Sequence, residues 1–241
     1  TYQQSSRPTE LQLKKDTKNE FLSVFPRQKL TAEMIRDNVL VSSGLFVDKL
    51  GGPSVKPYQP PGLWDDLTGG STSNSLKRYV MSKDGNQYRR SLYTYWKRTA
   101  PPPGMVTFDA ATRDYCTVER QKTSTPLQSL ILLNDPQVQN AASAIASLIL
   151  ESEIQSDKQR VIAIYRRITG REPSKKTLSE MMDYLEDIAE IHGDKNRDLP
   201  AAELLHKSFT SLSLLIYNLD ETSQKSWFME ALNKYFLNNN R

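Results

Sequence analysis

The chain contains one cysteine, Cys116, and two histidines, His192 and His206, in 241 residues. A single thiol cannot close an intrachain disulfide. It also rules out, within this sequence, a cysteine-built zinc site and a C-x-x-C-H haem attachment. Two imidazoles cannot supply a three-histidine metal site. No run approaches the roughly 20 apolar residues that span a bilayer. The longest apolar clusters, at 130–133 and 212–216, have the length of helix cores. Gly51-Gly52-Pro53 and the stretch 57–62 lack the Lys-Ser/Thr ending of a phosphate-binding loop and read instead as a rigid loop wrapping the surface. Charge of one sign is scarce too. With 32 basic and 28 acidic residues interspersed, the net charge of +4 describes a solvated surface rather than a nucleic-acid groove.

What is present points to helices joined by long loops. Thr31 reads as an N-cap with Glu33 in the first turn, followed by an apolar stripe of Met34, Ile35, Val39, Val41 and Leu45, and by Gly44 as the stop. Residues 48–75 are rich in Gly, Pro and Ser and form a long loop. A short extended piece is expected at 78–81. Residues 87–98 read as a helix with Tyr88, Leu92, Tyr95 and Trp96 on one face, ended by Pro101, Pro102 and Pro103.

Pro126 behind Ser124 and Thr125 starts another helix, and Asn134-Asp135-Pro136 ends it and begins the next. In that next helix Val138, Ala141, Ala142, Ile145, Leu148 and Ile149 form the apolar face. Capping boxes are expected at Ser156/Gln159 and Thr177/Glu180, with Gly170 as a stop between them. Further helices are expected over 199–217 and 223–237. The expected fold is mainly α, a multi-helix bundle with long Gly/Pro-rich loops and at most a small hairpin. Residues 1–135 form its loop-rich half and 136–222 its helical half; 223–241 add a C-terminal helix packed on the bundle.

The stretch from Asp109 to Asp135 is the densest in mixed chemistry. Asp109, Asp114 and Glu119 could serve as paired carboxylates for acid–base work, and Cys116 as a nucleophile. Cys116 and Arg120 also have the spacing of the sulfatase C-x-P-x-R signature, with Val118 where the proline would stand. Each has a plainer reading. The charges more often make ion pairs that pin a loop, and a lone cysteine is more often a small buried hydrophobe than a redox thiol. Arg89, Arg90, Trp96, Arg98, Arg113 and Arg120 are candidates for binding an anion or a sulfated sugar, through bidentate guanidinium contacts and aromatic stacking. On the plainer reading the 88–98 helix simply has an aromatic core face and a basic solvated face. The two histidines are expected on the surface. Asp220 and Glu221, placed at a helix end that disfavours them, are expected to pair with a basic side chain, Arg89 or Arg90 being candidates, with a divalent ion as the alternative. Charge balance further predicts that 109–120 pairs with 88–98 and clamps the loop against the 125–133 helix. No metal site is expected.

Several segments together carry a family resemblance: LTAEMIRDNVLVSSGLF at 30–46, KLGGPSVKPYQPPGLW at 49–64, YRRSLYTYWKRTAPPPGMVTFDAATRDYC at 88–116, ERQKTSTPLQSLILLND at 119–135 and YNLDET at 217–222. In this order they resemble the domain called DUF1553, or PSD1, over roughly residues 1–222. The opening Thr1-Tyr2-Gln3-Gln4 reads as the middle of a longer protein. The family occurs in large planctomycete and Bacteroidetes proteins. Its members often also carry the uncharacterised DUF1549 domain, and many have an upstream c-type haem domain and a secretion signal. The resemblance therefore implies an extracytoplasmic location, against the weak cytosolic leaning of a disulfide-free sequence. It implies other domains of the same polypeptide as partners, and any haem in a separate upstream domain rather than in this segment. The expected role is an accessory or interaction domain, linked to haem or polysaccharide handling through family context. The alternatives are an enzyme acting on anionic or sulfated polysaccharide through 109–120, or an anionic glycan-binding module. The resemblance supplies no mechanism.

Overall fold

The computed structural model describes residue 6 and residues 8–26, 28–64, 79–195 and 199–225. The fold is mainly α. In chain order the helices are α1 (Glu10–Lys15), α2 (Ala32–Ser43), α3 (Pro103–Thr107), α4 (Pro126–Asn134), α5 (Pro136–Leu150), α6 (Asp157–Thr169), α7 (Lys175–Lys195), α8 (Ala201–Tyr217) and the short α9 (Asp220–Ser223). The β structure in named strands is one antiparallel ladder between β1 (Gln28–Lys29) and β2 (Gln224–Lys225). Gln224 and Lys225, expected in a helix, are thus extended. The readings for 65–75, Arg78 and 226–241 lie outside the described residues, and Tyr79–Met81 has no regular structure.

One core unites α2 with the C-terminal helices. α8 packs most extensively against α5 and α7, and α2 lies on α5 and α6. α5 contributes Val138, Ala141, Ala142, Ile145, Ala146 and Ile149, whose small side chains allow close helix approach. Leu148, expected on that face, is exposed, and Ala146 takes its place. In α2 the buried apolar positions are Ala32, Ile35, Val39 and Leu40, with Ser42 and Ser43 buried beside them, while Met34 is exposed. Tyr217 of α8 crosses to α2, its hydroxyl 2.7 Å from Ser42 Oγ and donating to the Val39 carbonyl at 3.2 Å.

The helix ends follow local chemistry, with corrections. Thr31 accepts the Met34 N–H, and Gly44 and Gly170 adopt the left-handed conformation that ends α2 and α6. Asp135 caps α5 through the Gln137 N–H at 2.7 Å. Ser156 occupies the N-cap of α6 without a capping hydrogen bond. The cap expected at Thr177 is supplied by Ser174, whose hydroxyl accepts the Thr177 N–H, so α7 starts earlier. Asp220 and Glu221 begin α9, where a carboxylate suits the dipole. Glu221 takes a hydrogen bond from the Tyr165 hydroxyl, not an ion pair from Arg89 or Arg90.

Residues 87–98 are not an α-helix. They form two 3-10 turns, Asn86–Tyr88 and Ser91–Tyr93, linked by extended backbone. Their backbone groups have partners elsewhere in the fold. Arg36 donates to the carbonyls of Gln87 and Arg89 at 2.6 and 3.0 Å, and Asp37 accepts the Ser91 N–H at 2.8 Å. Val47 and Val55 donate to the Tyr88 and Tyr93 carbonyls at 3.2 and 2.8 Å. These tertiary bonds outweigh a helical propensity that amounts to only tenths of a kcal/mol per residue (about 0.5).

Candidate functional site

The residues singled out in 109–120 do not converge on a common centre. Asp109 accepts the Thr123 N–H at 2.7 Å and the Thr123 hydroxyl at 2.8 Å. Asp114 lies 3.9 Å from Arg98, with both side chains largely exposed. Glu119 pairs with Lys122 at 3.2 Å on the surface. Arg120 reaches α2 instead, donating to Glu33 at 2.7 Å. Burial pushes the Glu33 carboxyl up, but the Arg120 hydrogen bond, a backbone hydrogen bond, the Arg120 charge and the Thr31 hydroxyl together outweigh it and leave the group below its ordinary value. Cys116 is exposed, correcting the buried reading. The pairing expected between 109–120 and 88–98 is therefore reduced to one long exposed contact, Arg98 with Asp114.

The anion-binding candidates divide in the same way. Arg89 is 2% exposed, and its guanidinium donates to the carbonyls of Lys49 at 2.7 Å and Pro53 at 3.1 Å. A third bond goes to the Gly51 carbonyl, and the guanidinium lies 4.1 Å from the Tyr93 ring centroid. It is the strut of the Gly51-Gly52-Pro53 loop. Arg90 pairs with Asp48 at 3.3 Å in the open. Trp96, Arg98, Arg113 and Asp114 do come together: Arg113 covers the Trp96 ring at 4.6 Å, and the indole N–H donates to the Thr112 carbonyl at 3.0 Å. The ring a sugar would stack on is thus covered by the chain's own cation.

The histidines are half-buried rather than surface residues. His206 Nε2 lies 3.0 Å from Ser147 Oγ, and His192 Nε2 lies 3.1 Å from Ser211 Oγ. Among the described residues no group of three His, Cys, Asp or Glu is placed to hold a metal ion, and no helix is long and apolar enough to cross a membrane.

A cavity of about 460 Å³ lies elsewhere, between α2, α3, the α4–α5 junction and the 57–60 loop. That size is in the range of small-molecule sites, about 300–1,000 Å³. Ile35 and Val39 of α2, Met105 and Phe108 at α3, and Leu132 and Val138 of the α4–α5 unit supply apolar wall. Pro57, Pro60, Pro102, Pro103 and Pro136 supply rigid corners, because a proline's φ is fixed and its ring is apolar.

The charged residues of the wall are committed. Arg36 gives Nε to Gln137 Oε1 at 3.2 Å as well as its bonds to 87, 89 and the Ser91 hydroxyl. Burial pushes its pKa down to about 10, partly offset by Asp37 and Asp135. Asp135 is bound as the α5 cap, and burial raises its pKa. Two neutral polar atoms of the wall are not committed. Gln59 Oε1 and Thr94 Oγ1 are buried without a hydrogen-bond partner, on residues 9% and 4% exposed. A buried polar group left in that condition costs about 1–3 kcal/mol.

No local signal in the sequence pointed to this cavity. Its wall is assembled from segments that run from Ala32 to Val138, and only the density of prolines at 57–61 and 101–103 marks its corners.

Beside the cavity, Trp64 packs against Tyr79 and Tyr95 with ring centroids 5.1 and 6.0 Å apart. Lys56 Nζ sits 5.2–5.8 Å from all three rings, so this aromatic cage is filled from within the chain.

Residues 1–185 match the family described as PSD1, protein of unknown function (DUF1553). No curated protein and no solved structure matches the chain.

Proposed function

The chain belongs to the PSD1 (DUF1553) family, whose function is unknown, and on that footing we propose a non-catalytic accessory module of a larger extracytoplasmic protein that binds a small, mainly apolar ligand. The observation that carries the reading is the cavity between α2 and α4, roomy, apolar-walled and stiffened by prolines. Its charged groups are tied into the scaffold, so they hold the wall and do not act as acid or base. The extracytoplasmic setting, the companion domains and a link to haem or polysaccharide handling rest on family resemblance.

The competing enzyme reading needs at least two convergent carboxylates in a concave site. Asp109, Asp114 and Glu119 are each engaged separately, and none lines the cavity. The glycan reading needs free guanidinium and aromatic faces, and those of Arg89 and Trp96 are in use.

The test uses indene, a neutral apolar bicycle, in a calorimetric titration of the full chain. Gly104 lines the cavity, and a Cβ built there meets only Asp135 Oδ2, at 4.0 Å, so Gly104→Leu fills cavity space without steric conflict at the backbone. Wild type binds indene and Gly104→Leu does not, while melting at a higher temperature. Absence of binding to wild type, or equal binding to both, rejects the reading.

A further inference from the structure

The two uncommitted polar atoms say more about the ligand than the wall does. Gln59 and Thr94 both line the cavity, and both sit on backbone fixed by other bonds. Val55 N–H donates to the Tyr93 carbonyl at 2.8 Å, and Tyr95 N–H to the Val55 carbonyl at 2.7 Å, which holds Thr94 between them. The Tyr58 carbonyl, next to Gln59, accepts from Gln137 Nε2 at 3.5 Å. These side chains therefore stay at the wall. Neither Gln59 Oε1 nor Thr94 Oγ1 has a protein partner.

An amide oxygen only accepts, whereas a threonine hydroxyl both donates and accepts. We propose that the pocket takes a neutral, largely apolar ligand that presents an N–H or O–H donor to Gln59 Oε1, with the Thr94 hydroxyl as its second polar contact. This rests on the reading of the cavity as a binding site and adds what that site recognises.

Neutrality follows from the charges already present. Arg36 spends its N–H groups on Gln137, Ser91 and two carbonyls, and Asp135 is bound as a helix cap. A charged ligand would lose its hydration against a wall of proline, leucine, isoleucine and methionine without gaining a free counter-charge. A polyhydroxylated sugar would strand most of its hydroxyls for the same reason. A ligand with one donor on an apolar body strands no polar group of its own, and it repairs the orphaned acceptor of Gln59. Selectivity of this kind is strong, because a site built around a buried polar atom discriminates against the analogue that lacks the matching group.

Indole and indene separate these requirements. The two bicycles are nearly the same shape, and only indole carries an N–H donor. Indene is the more hydrophobic, so apolar partitioning alone would favour it. In calorimetric titrations of the full chain, indole binds wild type roughly tenfold more tightly than indene, as one well-placed hydrogen bond implies. Gln59→Leu brings indole to the affinity of indene and leaves indene at least as tight as before. Gln59→Met, neutral and unbranched like glutamine, removes the amide acceptor and loses the preference in the same way, which guards against a Leu variant that fails to fold. Equal affinities in wild type, or a preference unchanged in Gln59→Leu, overturns the donor assignment while leaving the pocket a binding site. Failure of both bicycles to bind overturns the binding reading itself.

Discussion

The carboxylate of Asp109 holds Thr123 by two groups at once, accepting its backbone N–H at 2.7 Å and its hydroxyl at 2.8 Å. The bond closes the loop that carries Cys116, Glu119 and Arg120. Asp109 itself adopts a φ of 61°, a left-handed conformation that Asp and Asn tolerate better than most residues. A residue that looks catalytic in the sequence is the clasp of a surface loop. Asp109→Ala should lose about 1–3 kcal/mol in urea denaturation, the value of hydrogen bonds to a charged acceptor. Asp109→Asn keeps an acceptor oxygen and the tolerated φ, and should lose less. Unchanged midpoints in both variants would show that the clasp contributes nothing.

Arg89 is the second clasp. Its buried guanidinium reaches the carbonyls of Lys49, Gly51 and Pro53 together. Arg89→Ala should cost at least about 3 kcal/mol, since two or more charged hydrogen bonds disappear. Arg89→Lys should recover only part of this, because a compact ammonium does not span the three acceptors as a planar fork does. A Lys variant as stable as wild type would contradict the geometry. Amide exchange in the 49–53 loop should quicken in both variants.

How far the sequence could be read depends on where each element finds its partners. The α5 face was legible because Val138, Ala141, Ala142, Ile145 and Ile149 recur at helical spacing and pack on neighbouring helices. The caps at Thr31 and Asp135 and the stops at Gly44 and Gly170 were legible because their chemistry is local. Residues 87–98 misled because Arg36 and Asp37, some fifty positions away, bind their backbone. The cavity was invisible for the same reason: Gln59, Thr94, Gly104 and Asp135 are ordinary in sequence and meet only through tertiary packing.

Cys116 is exposed on the loop that Asp109 closes. A disulfide-forming reagent should label it to completion in the native protein, without denaturant. Cys116→Ser should leave stability within about 0.5 kcal/mol of wild type, as surface substitutions do. A thiol protected until the protein unfolds would contradict its placement.

Glu33 and Asp135 should pull acid stability in opposite directions. The pKa of Glu33 is lowered in the fold, so its contribution is present above about its ordinary 4.5 and is lost as pH falls through the folded value. Arg120→Gln should flatten that acid limb. The pKa of Asp135 is raised, so stability is lost as pH rises from its ordinary 3.8 through the folded value. Asp135→Asn, which keeps an N-cap acceptor, should gain on wild type as pH rises through that window. Denaturation midpoints from pH 3 to pH 7 (a span of about four units) read both slopes, and parallel curves for wild type and both variants would contradict the assignments.

The most direct measurement of the central claim is a methyl NMR titration of the full chain with indene. Binding in the cavity should move the methyl signals of Ile35, Val39, Met105, Leu132 and Val138, all of which line it. It should leave the exposed Leu11, Leu13 and Val118 unmoved. Absence of saturable shifts, or shifts confined to the exposed methyls, would contradict the assignment of the cavity as the binding site of this domain.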